Sequence, residues 1–401
     1  MMCKIQSISE KIVNCFFKSS KLNYFIIFYC SYMVCCPPYF TTYVSGYIKT
    51  PLRLLGILFI LFLYFFNVIY KQRISKLFVS AFIACLYFFI ICVLNKNDYY
   101  YALYSNFIMA LSSIALFEIY MNSNLKKEFI LINYYSWMVS IFIFVAVFLI
   151  GGLDSLMNIY NRNNYVMFFI MYILFEKQLL LIDDKKSYKI VSYIMSIVIV
   201  LFSIITEAAT ASVVLIMIYA YIYLFDKIDL YKKLFSNFNI YLTVLIVFFF
   251  LLIFPGSHSP LVNIISKLFN KVAGFSGRSG WYDIDREIFL RRPIFGYGSR
   301  QYYNSLLGTF HASPHDFVFQ YLIDGGIVGF ALLVYCYKIV IETIKRKGNL
   351  NLVCYLLMVL FAFTLRNFFE AIGLNYVFFV LANIYFMYMT YDDDYISIKI
   401  V

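Results

Sequence analysis

The stretch "KLFVSAFIACLYFFIICVL", residues 76–94, carries a single charge, at its first position. At 1.5 Å per residue, a helix over this stretch is about 28 Å long, close to the thickness of a bilayer's hydrocarbon core. Lys71, Arg73 and Lys76 stand at one end of the run and Lys96 at the other. Runs of this kind recur along all 401 residues, of which 63% are hydrophobic and 13% charged. A soluble domain averages about 25% charged. The fold class that follows is all-α: a polytopic membrane protein of about twelve transmembrane helices.

The expected spans lie near 22–40, 51–70, 76–94, 99–121, 129–150, 163–182, 188–206, 210–225, 238–254, 314–340, 350–370 and 374–391. No repeat or low-complexity linker divides the chain, so 1–401 reads as a single integral membrane domain. The net charge of +12 is distributed in short clusters between apolar runs, such as Lys126–Lys127, Lys185–Lys186–Lys189 and Lys345–Lys347. Positive charge retained on the cytoplasmic side explains this pattern, and nucleic acid is not an expected partner. The opposite loops hold few cations, chiefly Lys49, Arg53, Lys96 and Arg162, which assigns both termini to the cytoplasm. The first apolar run reads as a span and not as a cleavable signal. The nine cysteines lie in or beside apolar segments or in the N-terminal tail, with no CxxC pair. Neither a disulfide framework nor a zinc site is expected. No metal or cofactor is expected.

One long polar stretch, 255–313, falls on the outer face and carries Lys267, Lys271, Arg278, Arg286, Arg291, Arg292 and Arg300. Long loops are exempt from the positive-inside rule, so these charges need a reason of their own. Within it, SGRSGWYDIDREIFLRRP reads as a short helix with Ser279 as N-cap and Pro293 as its stop. Trp281, Ile284 and Ile288 form its apolar stripe, while Arg278, Tyr282 and Arg286 share another face, a layout suited to a membrane surface. A second short helix fits SRQYYNSLLG, 299–308. Between them PIFGYG (293–298) is either a backbone cradle for phosphate or only a tight turn. The potassium-filter meaning of GYG does not apply, because no pair of pore helices encloses it.

The loop closes on "SPHDFVFQYLIDGGIVG", 313–329. Ser313, Pro314 and Asp316 suit the N-cap, N1 and N3 positions of the tenth span. His315 is then in the first turn, where the helix dipole favours a neutral, proton-accepting imidazole. All three histidines (His258, His311, His315) belong to this loop. Asp324 lies deep in the span, read either as a functional acid or as a partner for a buried arginine. Arg162 and Asn164, Glu207, and Arg366 with Glu370 one turn on complete the outer polar set; an ion pair is the plain reading of the last two.

Together these features resemble the O-antigen polymerase and O-antigen ligase superfamily of bacterial envelope glycosyltransferases. The matching residues are Arg278 and Trp281, PIFGYG (293–298), the His-Asp of 315–316, the acid–Gly pattern of 324–329 and NRNN (161–164). One departure concerns the eighth span, where many members have Ser-Arg and this chain reads TEAATAS (206–212).

The resemblance implies transfer of a glycan from undecaprenyl pyrophosphate at the outer face of the bacterial inner membrane, inverting and metal-independent. In that reading Arg278, Arg286, Arg300, Arg366 and Arg162 serve the pyrophosphate, since a guanidinium bonds two oxygens at once. His315, or failing it His311, takes the acceptor's proton, with Asp324 a further catalytic position. Trp281, Tyr282, Tyr297, Tyr302 and Tyr303 stack on sugars. The implied partners are the lipid-linked oligosaccharide, membrane lipids and, where chain length is controlled, a chain-length regulator. The missing Ser-Arg favours polymerase; a ligase using lipid A core is the alternative, and a lipid-linked oligosaccharide flippase the competing class. A flippase needs cations in a central cavity, whereas here the polar chemistry gathers in one loop.

Overall fold

The computed structural model describes residues 2–17, 21–35, 46–71, 73–96, 102–159, 165–206, 208–225, 228, 232, 236–261, 264, 273–298, 316–346, 350–370, 372–389 and 396–397. Its helices are α1 (Met2–Phe17), α2 (Lys21–Cys35), α3 (Gly46–Lys71), α4 (Lys76–Leu94), α5 (Ala102–Met121, opening in a π-helical stretch) and α6 (Lys126–Ile159). They continue as α7 (Val166–Ile182), α8 (Lys186–Ile205), α9 (Ala209–Ala220, extended by the π-helical Tyr221–Phe225) and α10 (Phe238–Ile253, ending π-helical). The last are α11 (Ala273–Arg291), α12 (Phe317–Lys345), α13 (Leu350–Asn367) and α14 (Leu374–Met389). A two-residue antiparallel ladder, Arg73–Ile74 with Ile396–Ser397, is the only sheet among the described residues. The protein is an all-α polytopic membrane protein. A helix occupies most of each expected span, and seven helices among the described residues are long and apolar enough to cross a membrane.

The chain forms two compact units. The first comprises Met1–Ala81, Ile108–Ile216 and Leu374–Val401. Its interior is aromatic, with Phe117, Phe129, Phe175 and Phe379 in mutual ring contact at 4.9–6.3 Å. Two buried polar contacts tie its helices together: Gln178 donates to Asn383 Oδ1 at 2.6 Å and Ser113 to the Asn375 carbonyl at 3.1 Å. Arg53, expected as a loop charge, instead donates to the Met33 and Val34 carbonyls at 2.9 and 3.3 Å. It thereby closes the C-terminus of α2, whose last carbonyls have no partner within the helix.

Glu118, fully buried on α5, holds the turn between α3 and α4. Its carboxylate accepts from Ser75 N at 2.8 Å, Ser75 Oγ at 2.6 Å and Tyr64 Oη at 3.2 Å. Ser75 Oγ in turn accepts from Phe78 N at 3.1 Å and so caps α4. An acid inside an apolar helix persists here because each oxygen has a donor.

The second unit comprises Phe82–Phe107 and Met217–Gly373 and contains the motif region. Two expectations are corrected there. The helix expected to start after Ser279 begins at Ala273, so Ser279 lies inside α11. Helix propensity is a weak prior, and tertiary context overrides the cost of the glycines in this stretch. The tenth span, expected as one piece over 314–340, is interrupted at Gly326 (φ 64°, ψ −169°). The rings of Phe317 and Tyr337 lie 6.4 Å apart. A straight helix would separate residues twenty positions apart by about 30 Å, so the half-helix Phe317–Gly325 folds back along the second half. The span proper runs from Ile327 to Lys345.

Replacing Glu118 with Ala strands buried donors at a cost of about 3 kcal/mol. The thermal unfolding midpoint in detergent should fall by several degrees, and less for Glu118→Gln. Unchanged melting in both variants excludes this role.

Candidate functional site

Breaking a helix leaves carbonyls without donors before the break and N–H groups without acceptors after it. Here both sets are met by PIFGYG. Tyr297 N donates to Ile323 O and Gly298 N to Asp324 O, both at 2.8 Å. In return Ile327 N donates to Pro293 O at 2.8 Å and Val328 N to Ile294 O at 3.3 Å. The turn is a splint for the broken helix. This corrects both expectations for the motif: the N–H groups of Gly296, Tyr297 and Gly298 are taken by the Arg292, Ile323 and Asp324 carbonyls and are not open to a phosphate. Nor is the motif only a tight turn. Gly326 has a backbone conformation accessible essentially to glycine alone, and a Cβ there collides with the Ile294 carbonyl. A Cβ on Gly296 (φ 71°) falls 2.5 Å from Gly326 N.

Side chains from α4 lock the splint. Tyr87 Oη donates to Gly325 O at 2.9 Å, and Phe88 packs against Gly325 and Gly329. Arg292 donates to Asn95 Oδ1 at 2.7 Å and lies 4.9 Å from the centre of the Tyr297 ring. Tyr297 is buried beneath it.

Helix α11 is clasped to the end of α10. Asp283 accepts from Ser257 N at 3.1 Å and from Ser257 Oγ, and pairs with Arg286 at 3.1 Å. Arg286 also donates to the Phe254 carbonyl at 2.7 Å. The buried face of α11 runs through Tyr282, Asp285, Ile288 and Phe289, whereas Trp281 and Ile284 are half-buried. The expected stripe is therefore rotated by about one residue, because α11 packs into the protein and does not simply lie on a membrane surface. With Tyr282 and Tyr297 enclosed, Trp281 is the described aromatic of the sugar-stacking set with an accessible face.

The cap of α12 also differs from expectation. Asp316 is the N-cap, its Oδ1 accepting from Phe319 N at 2.8 Å. Asp and Ser are equally good caps, so the local pattern did not decide between Asp316 and Ser313. His315 thus precedes the cap, and the helix-dipole argument for its neutrality no longer applies. Asp316 and Asp285 are both fully buried. Burial first, and then the Asp285 charge, push the Asp316 carboxyl well above the usual carboxylate range.

Deeper in the unit, Gln320 Oε1 accepts from Ile372 N at 3.0 Å and Tyr321 donates to Ile372 O at 2.7 Å. Arg366 is fully buried and donates to Asn367 Oδ1 at 3.0 Å, and Asp324 and Glu370 are buried as well. A pocket of about 330 Å³ opens among α10, α12 and α13, lined by Leu245, Phe249, Leu322, Tyr337, Leu357 and Phe361 among others.

Of the residues expected in the site, the structure gathers Asp324, Tyr297, Trp281, Tyr282, Arg286 and Arg366 into this unit. His315, His311, Arg300, Arg162, Asn164, Glu207 and the 299–308 helix lie outside the described residues, as does the side chain of Arg278. Sequence reasoning missed Tyr87, Asn95 and Gln320, which carry no local signal because their partners are distant in the chain. Among the described residues no three His, Cys, Asp or Glu side chains are grouped to hold a metal.

A splinted, broken helix beside a clasped, charged helix, in a bundle of apolar spans, defines a polytopic membrane protein. Residues 191–334 match the model of the O-antigen ligase family, a match that takes in α11, the splint and the break in α12. This supports a function of the O-antigen ligase and polymerase type. No curated protein matches the chain.

Gly326→Ala should cost about 3 kcal/mol, since the backbone region is closed to other residues. Gly280→Ala, whose Cβ meets nothing within 4 Å, should gain about 0.5–1 kcal/mol. Equal thermal midpoints for the two variants contradict the splint.

A raised carboxyl pKa means that stability is greatest below the unfolded-state value and is lost as pH rises through the folded-state value. Asp316→Asn keeps an N-cap side chain and removes the buried charge. It should raise the melting temperature at pH 7 and flatten its dependence on pH. A lower melting temperature at pH 7 than at pH 4 in the variant, matching the parent, shows that Asp316 is not responsible.

Proposed function

We propose that this protein is a polysaccharide polymerase of the bacterial inner membrane. It transfers a glycan from undecaprenyl pyrophosphate to the acceptor sugar of another lipid-linked repeat unit. The carrying observation is the family match across 191–334, which spans the splinted break. Gly298 and Asp316, which flank the segment bearing Arg300, His311 and His315, are each anchored to α12. These two flanking residues are therefore held at fixed points on α12.

In this reading both termini are cytoplasmic and the loop faces the periplasm. Arg278 and Arg300, with Arg286, Arg366 and Arg162 in support, hold the pyrophosphate and stabilise the charge that develops on it. Arg286 contributes mainly by position, because Asp283 already balances its charge. His315, or His311, accepts the proton of the acceptor hydroxyl. That oxygen attacks the anomeric carbon from the face opposite the leaving group. The bond to pyrophosphate breaks with inversion, its electron pair leaving on the phosphate oxygen. Asp324 steadies the site from the end of the half-helix, and Trp281 packs on a sugar face. The apolar pocket among α10, α12 and α13 suits part of the polyprenyl tail.

The description of the matched family favours a second reading, ligation to lipid A core. Deleting the gene separates the two: a lost polymerase leaves core capped by one repeat, and a lost ligase leaves bare core with accumulating lipid-linked polymer. For the mechanism, purified protein in detergent should elongate lipid-linked repeats on a gel. His315→Ala should slow elongation by about 10²–10⁴-fold, the usual worth of a general base. Arg278→Ala should also suppress it, and full-length polymer from both variants at normal protein levels sinks the assignment.

A further inference from the structure

The outward side of the splint is apolar. Leu290, Ile294 and Phe295 are 58%, 55% and 60% exposed. Such exposure calls for a cover. The splint's bonds to Ile327 N and Val328 N place these side chains at the head of an exposed stripe on the second half of α12. That stripe runs through Ile327, Ala331, Val334 and Tyr335 to Lys338, at the spacing of one helix face. Ile327–Lys345 lies within a helix long and apolar enough to cross a membrane, which suits the exposed stripe to lipid, and the exposed turn adjoins its head. Beside it, α4 ends in exposed Val93 and Leu94, followed by exposed Lys96.

Cations rim this apolar surface. Arg291 is closed by Glu287 at 2.8 Å. Among the described residues Arg292 meets neutral groups, Asn95 Oδ1 and the Tyr297 ring, and it is held one residue from Lys96. A band of Leu, Ile, Phe and Val beneath Arg and Lys is the arrangement that seats a segment at the headgroup–acyl boundary.

We propose that Leu290, Ile294 and Phe295, with Val93 and Leu94, form a wedge in the leaflet on the loop's side. Arg292 and Lys96 above it bind the phosphate of an anionic phospholipid. The wedge fixes the height of the splint relative to the headgroups. This inference needs only the membrane spans and stands whether or not the glycosyl-transfer reading holds.

Phe295→Trp in the full chain, reconstituted in vesicles, tests it through the fluorescence added over the parent, which has two tryptophans. Lipids brominated on their acyl chains should quench the added signal, and aqueous acrylamide should not. Quenching by acrylamide, or by neither agent because protein covers the site, overturns the wedge. At equal mole fraction, brominated phosphatidylglycerol should quench more than brominated phosphatidylcholine, reflecting an enrichment of roughly fivefold per cation. Adding Lys96→Gln should shrink that difference, and equal quenching by the two lipids before the change overturns the headgroup site. Leu290→Trp gives the same readings should Phe295→Trp fail to fold.

Discussion

Four backbone hydrogen bonds between Pro293–Gly298 and Ile323–Val328 hold the two halves of α12 in place. In a bilayer, an unpaired peptide group costs several kcal/mol, so an interrupted helix is tolerated only where other protein groups satisfy its ends. The splint does so in both directions, taking donors from one half of α12 and giving donors to the other. Its consequences spread outward. The half-helix can fold back only because its carbonyls are already paired, and that fold-back brings Asp316 to a buried position where it feels the charge of Asp285 on α11. α4 crosses at the same point, so Tyr87, Phe88 and Asn95 all bear on the break.

The positive charge of the loop separates into groups with different tasks. Arg286 ties α11 to the end of α10, Arg291 pairs along its own helix, and Arg292 pins the turn to α4. Each has a structural partner, which a count of arginines in the sequence cannot show. Arg278 and Arg300 are the cations that the polymerase reading depends on most. The same division applies to the aromatics: Tyr282 and Tyr297 fill the interior, while Trp281 keeps an accessible side.

Much of the candidate site was legible in the sequence as a set of residues and little of it as an arrangement. The motif PIFGYG and the acid–Gly pattern of 324–329 stood out as separate features. They are two halves of one backbone junction. The buried face of α11 was read one residue off, because Trp281–Ile284–Ile288 and Tyr282–Asp285–Phe289 are both regular stripes and the second contains an acid. An apolar-periodicity argument discounts that stripe, although Asp285 is fully buried. The cap of α12 was ambiguous for a similar reason, since two good capping residues stand three positions apart.

Hydropathy by itself determined the spans, for a physical reason: a helix in lipid must satisfy its own backbone, so the information for it is contained within the segment. Charge clusters between the spans carried the expected orientation in the same local way. The break in α12, the splint that repairs it and the partners of the arginines were decided only by the tertiary structure. Those contacts join residues far apart in the chain, such as Tyr87 with Gly325 and Arg292 with Asn95. No local period or propensity encodes which distant carbonyl an exposed N–H will meet.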